Sequence, residues 1–228
     1  MIITQDLAFS YGRETLFRDL SFRAGAGECV VFSGPNGSGK STLLSLISGV
    51  LKPASGMIRT EGSLALVPQG TALFEDLSVE DNLLFFAGLN GTAVPSELPF
   101  SLDRYRKKKL SALSGGSKKR VSIACALLGD PQNILFDEPC AGLDVKYQEE
   151  LSDLILRLKA AGRTILYTGH DPLEYVRFFD RILFLGQQKT VVYEAGHFTG
   201  PARDIYETAR NVAAVYRSFC EQEEGVNK

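Results

Sequence analysis

The sequence predicts an α/β protein built on a mostly parallel sheet flanked by helices, and three observations carry that prediction. Cys29-Val30-Val31-Phe32 is a short unbroken apolar run, the pattern of a strand covered on both faces, and it feeds a glycine-rich loop and then a helical repeat. Two similar runs, Ile134-Leu135-Phe136 and Thr164-Ile165-Leu166-Tyr167, follow downstream. Between them Tyr147, Leu151, Leu154, Ile155 and Leu158 mark an amphipathic helix, and strand, helix, strand in alternation implies parallel pairing.

Along the chain, residues 1–27 read as β structure. Ile2, Leu7 and Phe9, then Leu16, Leu20 and Phe22, fall in short runs broken by the turn signals Tyr11-Gly12 and Gly25-Ala26-Gly27. After the 29–32 strand, Leu43, Leu44, Ile47 and Val50 recur at helical spacing until Lys52-Pro53 stops the helix. Residues from about 70 to 113 lack strand-like runs and place Val79, Leu83, Leu84, Phe86 and Ala87 on a helix. A proline-broken stretch, Pro95 to Pro99, and the basic run Arg104-Tyr105-Arg106-Lys107-Lys108-Lys109 follow, the latter expected as a solvated helix face. Ile182-Leu183-Phe184-Leu185 is a fourth strand candidate, and from Pro201 onward Ile205, Tyr206, Ala209, Val212, Ala213 and Tyr216 share a helical stripe. One domain is expected over 1–228: a core at about 1–69 and 117–190, a helical subdomain at about 70–116 and a helical tail at about 201–220.

Composition narrows the function classes. The 228 residues carry 25 Lys+Arg against 27 Asp+Glu, a formal charge of −2, which excludes a strongly basic nucleic-acid module. At 44% hydrophobic and 23% charged the chain sits in the ordinary globular range. No apolar run approaches the roughly 18 residues of a membrane span, and residues 1–20 show no signal-peptide pattern, so a soluble cytoplasmic chain is expected. Cys29, Cys125, Cys140 and Cys220 are scattered without a CxxC pair and away from His170 and His197, which reads as four reduced, partly buried thiols rather than a disulfide or zinc framework.

Three segments carry chemistry. In Gly34-Pro35-Asn36-Gly37-Ser38-Gly39-Lys40-Ser41 the glycines let the backbone curl so that successive N–H groups face phosphate oxygens. The helix that follows adds the positive end of its dipole, Lys40 a charge for the outer phosphates, and Ser41 a hydroxyl for Mg²⁺. Phe136-Asp137-Glu138-Pro139 ends an apolar strand in two carboxylates at the edge where parallel sheets bind ligands. Asp137 is expected to hold Mg²⁺ through water, and Glu138 to polarise an attacking water as general base. Ser114-Gly115-Gly116, before Val121, Ile123, Ala124 and Leu127, offers a cap and bare N–H groups at a second helix start, an anion site with no lysine as its fourth wall.

With those pieces in this order, the chain resembles the nucleotide-binding subunit of an ABC transporter, from about Leu7 to His170. The resemblance implies a P-loop NTPase (RecA-like) sheet with an N-terminal antiparallel β subdomain and a helical insert. It sets Tyr11 where the family stacks an aromatic ring on adenine and Gly34–Thr42 as the Walker A loop, Thr42 included. Gln69, after Val67-Pro68, becomes the Q-loop glutamine, touching Mg²⁺ or water and linking to the membrane partner. Ser114-Gly115-Gly116 becomes the signature motif, Asp137 and Glu138 the Walker B carboxylates, Ala141-Gly142-Leu143-Asp144 the D-loop, and His170 the switch histidine that senses the γ-phosphate. Departures from the family pattern are Ser117 for the signature glutamine, Lys118-Lys119 for glutamine-type residues, Cys140 for threonine, and Gly169 for threonine or serine before the histidine. None removes a catalytic group.

The resemblance further implies ATP and Mg²⁺ as ligands and a head-to-tail pair, with itself or a paralogous subunit, that sandwiches two ATP. It implies integral membrane permease subunits as partners, a peripheral place on the inner face of the cell membrane, and no nucleic-acid partner. Leu73–Leu83 is similar to the segment many export-type subunits carry after the Q-loop, which leans towards export. Two other readings stay open: a soluble ABC ATPase of an assembly system, and a P-loop small-molecule kinase, which would share Gly34–Ser41 without needing Leu113–Ser117 or His170.

Overall fold

The computed structural model describes residues 1–186, 190–198 and 204–226. In chain order its elements are β1 (Ile2–Tyr11), β2 (Glu14–Ala24), β3 (Cys29–Ser33), α1 (Lys40–Ile47), β4 (Ser55–Thr60), β5 (Leu64–Val67), α2 (Val79–Leu89), α3 (Gly115–Ala126), β6 (Asn133–Asp137), α4 (Val145–Ala160), β7 (Thr164–Thr168), β8 (Arg181–Leu185), β9 (Thr190–Glu194) and α5 (Ile205–Val226). They form two sheets. The larger runs β5-β6-β7-β3-β8-β9, with every neighbour parallel except the β8–β9 edge. The smaller, antiparallel sheet runs β2-β1-β4.

The unbroken apolar runs pack as strands covered on both faces. Cys29, Val31, Ile134, Phe136, Ile165, Tyr167, Ile182 and Phe184 join one core cluster with α4 and with Val212 and Phe219 of α5. Their alternates Val30, Phe32, Leu135, Leu166, Leu183 and Leu185 join a second cluster with α1 and the antiparallel sheet. A two-residue period divides each strand between two layers, so neither face meets water.

A third cluster, centred on Val79, Leu83, Leu102, Leu110, Val121 and Leu128, packs the helical insert. It reaches beyond residue 116, because α3 gives Val121, Ala124 and Cys125 to this cluster, joined by Leu128 just past its end, while its Ile123 belongs to the main core. The basic run is not a helix face. Arg104 and Tyr105 end a 3-10 stretch, Lys107 to Lys109 are exposed, and the carbonyls of Arg106 and Lys108 accept the amides of Glu80 and Val79. A helix start leaves its first amides unsatisfied, and here the backbone of the basic run satisfies two of them.

The sequence reading missed β4 and β9. In the tail helix Ala209 and Val212 are buried as expected, but Ile205 and Tyr206 are exposed beside α4, and the packed face runs on through Phe219. Residues 201–203 of the expected tail lie outside the described residues. All four cysteines are free, three of them buried.

Asn82 fixes the entry to the insert. Fully buried on α2, it accepts from Phe74 N and donates to the carbonyls of Phe74 and Ser78, beside a capping box in which Ser78 and Asp81 exchange hydrogen bonds. Asn82→Ala is expected to strand these backbone groups and lower unfolding free energy by about 2–4 kcal/mol, read by urea denaturation.

Candidate functional site

β3 ends in the phosphate loop and α1 begins inside it. Gly39 lies at φ 93°, and a Cβ there would sit 2.5 Å from the ring of Phe17, so only glycine fits. A Cβ on Gly34 would stand 2.5 Å from the carbonyl oxygen of Leu185 and 2.6 Å from Ser38 Oγ. The loop is therefore clamped between the tip of β8 and the β2 aromatic. Lys40 is buried in it, its Nζ donating to the carbonyls of Gly34 (2.9 Å) and Pro35 (3.2 Å). Burial lowers the pKa of Lys40, opposed by the charges of Glu138 and Asp137.

The strand order places β7 between β3 and β6, so three carboxyl ends converge. Asp137 is buried and its Oδ1 accepts from Ser41 Oγ (3.0 Å) and Thr168 Oγ1 (2.8 Å). Thr168 Oγ1 also accepts from the amide of Glu138 at 2.8 Å. Glu138 has φ 44°, the left-handed region that non-glycine residues rarely occupy, a cost of about 1–3 kcal/mol that clusters at functional sites. That turn carries its carboxylate out of the strand line. Oε1 lies 2.6 Å from His170 Nε2 and 3.9 Å from Lys40 Nζ, and Oε2 accepts from Gln69 Nε2 at 3.0 Å.

Around these groups lies a cavity of about 740 Å³ lined by Tyr11, Glu14, Leu16, Asn36, Gly37, Gly39, Lys40, Ser41, Thr42, Gln69, Glu138 and His170. Tyr11, half exposed at its mouth, meets Phe9 edge-on at 4.9 Å. The structure does not bring Ser114, Gly115, Gly116 or Asp144 to this cavity. The Asp144 carboxylate caps α4 by accepting from Tyr147 N, and Ser114 caps α3 by accepting from Ser117 N. Gly115 instead lines a neighbouring cavity of about 410 Å³ with Gln69, Lys118, Lys119, Glu138 and Leu143. Gln69 and Glu138 border both spaces.

Three contributors escaped the sequence reading: Phe17, Thr168 and Lys119. Lys119 is buried, donates to the carbonyls of Pro68 and Gln69, and has its pKa brought down to about 8 by burial. Its sequence signal was only a basic residue on the buried side of a helix.

The donors fit an oligophosphate with a hard cation. The buried Ser38 hydroxyl finds no partner among the described residues, and Ser41 and Asp137 set two oxygens side by side. Among the described residues no group of three or more His, Cys, Asp or Glu could hold a metal ion. A Mg²⁺ here would thus complete its shell with phosphate oxygens and water, its usual habit in nucleotide sites.

The ABC transporter family matches residues 17–141, more than half the chain. The chain belongs to that family. It is 36% identical over 196 residues to the Nod factor export ATP-binding protein I of Rhizobium meliloti, covering 77% of this chain and 58% of that protein. To the linearmycin resistance ATP-binding protein LnrL of Bacillus subtilis it is 30% identical over 211 residues, covering 84% and 68%. The solved ATP-binding subunit of an ABC transporter superposes with a TM-score of 0.80 at 27% identity, over 87% of this chain and 91% of that one. The chain thus spans under two thirds of the Rhizobium protein's length.

Behind this ABC site, Glu174 accepts from Tyr167 OH at 3.1 Å, and burial raises its pKa to about 7. A carboxyl that ionises near 4.5 when unfolded and near 7 when folded contributes stability that is full below 4.5 and lost as pH rises through 7. Glu174→Gln removes that loss. Its melting temperature relative to wild type is expected to climb between pH 5 and pH 8 in calorimetry, and a pH-independent difference would contradict this origin.

Proposed function

We propose that this chain hydrolyses ATP as the motor subunit of an ABC transporter, closing head to tail with a second such subunit around two ATP. One observation carries the reading: Glu138, held out of line by its left-handed backbone, sits between Gln69, His170 and Lys40 at the mouth of the phosphate loop. There it is placed to take a proton from a water directed at a terminal phosphate, as the general base. His170 and Gln69 hold its two oxygens and fix its direction. Lys40 and the loop amides bind the outer phosphates, with Gly34, Pro35, Asn36, Gly37, Ser38 and Thr42 completing the cradle, and Tyr11 stacks on the base. When bound, Mg²⁺ would neutralise the phosphate charge, and Ser41, Asp137 and Gln69 are the residues that would hold it.

Ser114, Gly115 and Gly116 lie outside the phosphate cavity, at the exposed amino end of α3. Their chemistry is that of an anion site, so they are assigned to the partner's ATP, with Asp144 near the shared seam. A two-fold pair then completes both sites at once. No described helix is long and apolar enough to cross a membrane. In this reading transport runs through membrane permease subunits, which would hold the chain at the inner face of the membrane. Export is favoured over import because the relatives it resembles are named for Nod factor export and linearmycin resistance.

Glu138→Gln is expected to bind ATP with wild-type affinity, lose hydrolysis by about 10²–10⁴-fold, and accumulate as an ATP-bound dimer in light scattering. A monomer under saturating Mg-ATP would count against the head-to-tail arrangement. Ser114→Arg should keep calorimetric ATP binding while losing at least about 10²-fold in turnover, since it obstructs only the neighbour's site. Phosphate appearing on an added acceptor rather than free in solution would replace this reading with the kinase.

A further inference from the structure

Lys118, Lys119 and Arg120 fan from one turn of α3 onto three different elements. Lys118 pairs with Glu75 at 2.7 Å, and Arg120 pairs with Glu150 at 3.0 Å while lying over the ring of Tyr147. Lys119 points inward. Only 5% exposed, its Nζ donates to Pro68 O at 2.6 Å and to Gln69 O at 2.8 Å. Those carbonyls belong to the loop leaving β5, and that loop needs restraint. Gln69, Gly70 and Thr71 are exposed and border the 410 Å³ cavity, which offers them space to move.

Gln69 is bonded at both ends. Its carbonyl accepts from Lys119, and its side-chain amide donates to Glu138 Oε2 at 3.0 Å. A continuous chain of contacts thus runs from the helix carrying Ser114-Gly115-Gly116, through Lys119 and the backbone of Gln69, to the carboxylate beside the phosphate loop. The first of these links is a charge-assisted hydrogen bond in a nearly dry setting, the stronger kind. An uncharged side chain of the same length would leave both carbonyls without this donor.

We propose that Lys119 is a positioning residue for the reaction: it sets Gln69 against Glu138 and ties the seat of α3 to the hydrolytic carboxylate. It touches no phosphate and no reacting atom, so it acts on turnover rather than on nucleotide affinity. This inference rests on the proposed ATPase reading, and the experiment keeps the two apart.

The full chain is assayed as wild type, Lys119→Met and Lys119→Arg. Lys119→Met is expected to lower kcat about tenfold, with KM and the calorimetric ATP affinity within about twofold of wild type, because misplacement acts on geometry and not on binding. Lys119→Arg, whose fork can also donate to two carbonyls, should recover most of that loss. Hydrogen exchange at amides 69–71 should quicken in Lys119→Met and return towards wild type in Lys119→Arg. A wild-type kcat in Lys119→Met overturns the proposal. So does a joint loss of ATP affinity, turnover and melting temperature that arginine does not restore, since that describes a packing residue. Should the wild-type chain release no phosphate from ATP, the ATPase reading falls, and exchange at 69–71 decides the strut alone: unchanged protection in Lys119→Met overturns it.

Discussion

Asp137 is a carboxylate taken almost wholly out of water, and such a group persists only where hydrogen-bond donors surround it. Its donors are the hydroxyls of Ser41, at the start of α1, and Thr168, at the end of β7. One buried oxygen therefore gathers the carboxyl ends of β6 and β7 and the amino end of the helix after β3. Thr168 spends its other capacity accepting from the amide of Glu138, which anchors the residue whose backbone is turned into the left-handed region. The strained turn and the buried anion support each other: the hydroxyl that satisfies Asp137 also holds Glu138 where strand geometry alone would not.

The order of the strands makes that arrangement possible. With β7 inserted between β3 and β6, the residues after β7 fall between the phosphate loop and the carboxylate pair, and His170 reaches Glu138 without leaving its own strand exit. Gln69 arrives from the opposite side, off β5 at the sheet edge. Glu138 is thereby read by three strands at once. Two of those readers leave their strands by exposed loops, so the position of the carboxylate depends on segments that the core does not fix.

Much of this was legible in the sequence, and the reason differs from residue to residue. The phosphate loop and the Asp137-Glu138 pair announce themselves because fixed spacing and residue type are what the backbone geometry demands. The buried strands were legible because a strand covered on both faces has no polar alternation to blur it. The strand Ser55–Thr60 escaped since its residues are mostly exposed and Gly56 is its second residue, leaving only Met57-Ile58 as an apolar signal. The basic run misled because lysine and arginine favour helices, whereas here its backbone, not its side chains, meets the helix it serves. Lys119 was invisible for a deeper reason: lysine is almost never fully buried unless paired, and its pairing is with two backbone carbonyls some fifty positions away, which no local pattern encodes.

The helical insert has a hydrophobic cluster of its own, yet α3 belongs to two clusters, giving Val121, Ala124 and Cys125 to the insert and Ile123 to the central sheet. A helix shared in this way cannot shift with the insert alone without disturbing Ile123, nor stay with the sheet without parting from α2. Its three consecutive cations reinforce that divided loyalty: Glu75 lies in the insert, ahead of α2, the Gln69 loop at the sheet edge, and Glu150 on α4. Interfaces of packed side chains tend to hold discrete arrangements rather than to deform smoothly. The exposed amino end of α3 is therefore joined through one helix to all three anchors, and of these the Lys119 anchor leads directly to a residue bonded to Glu138.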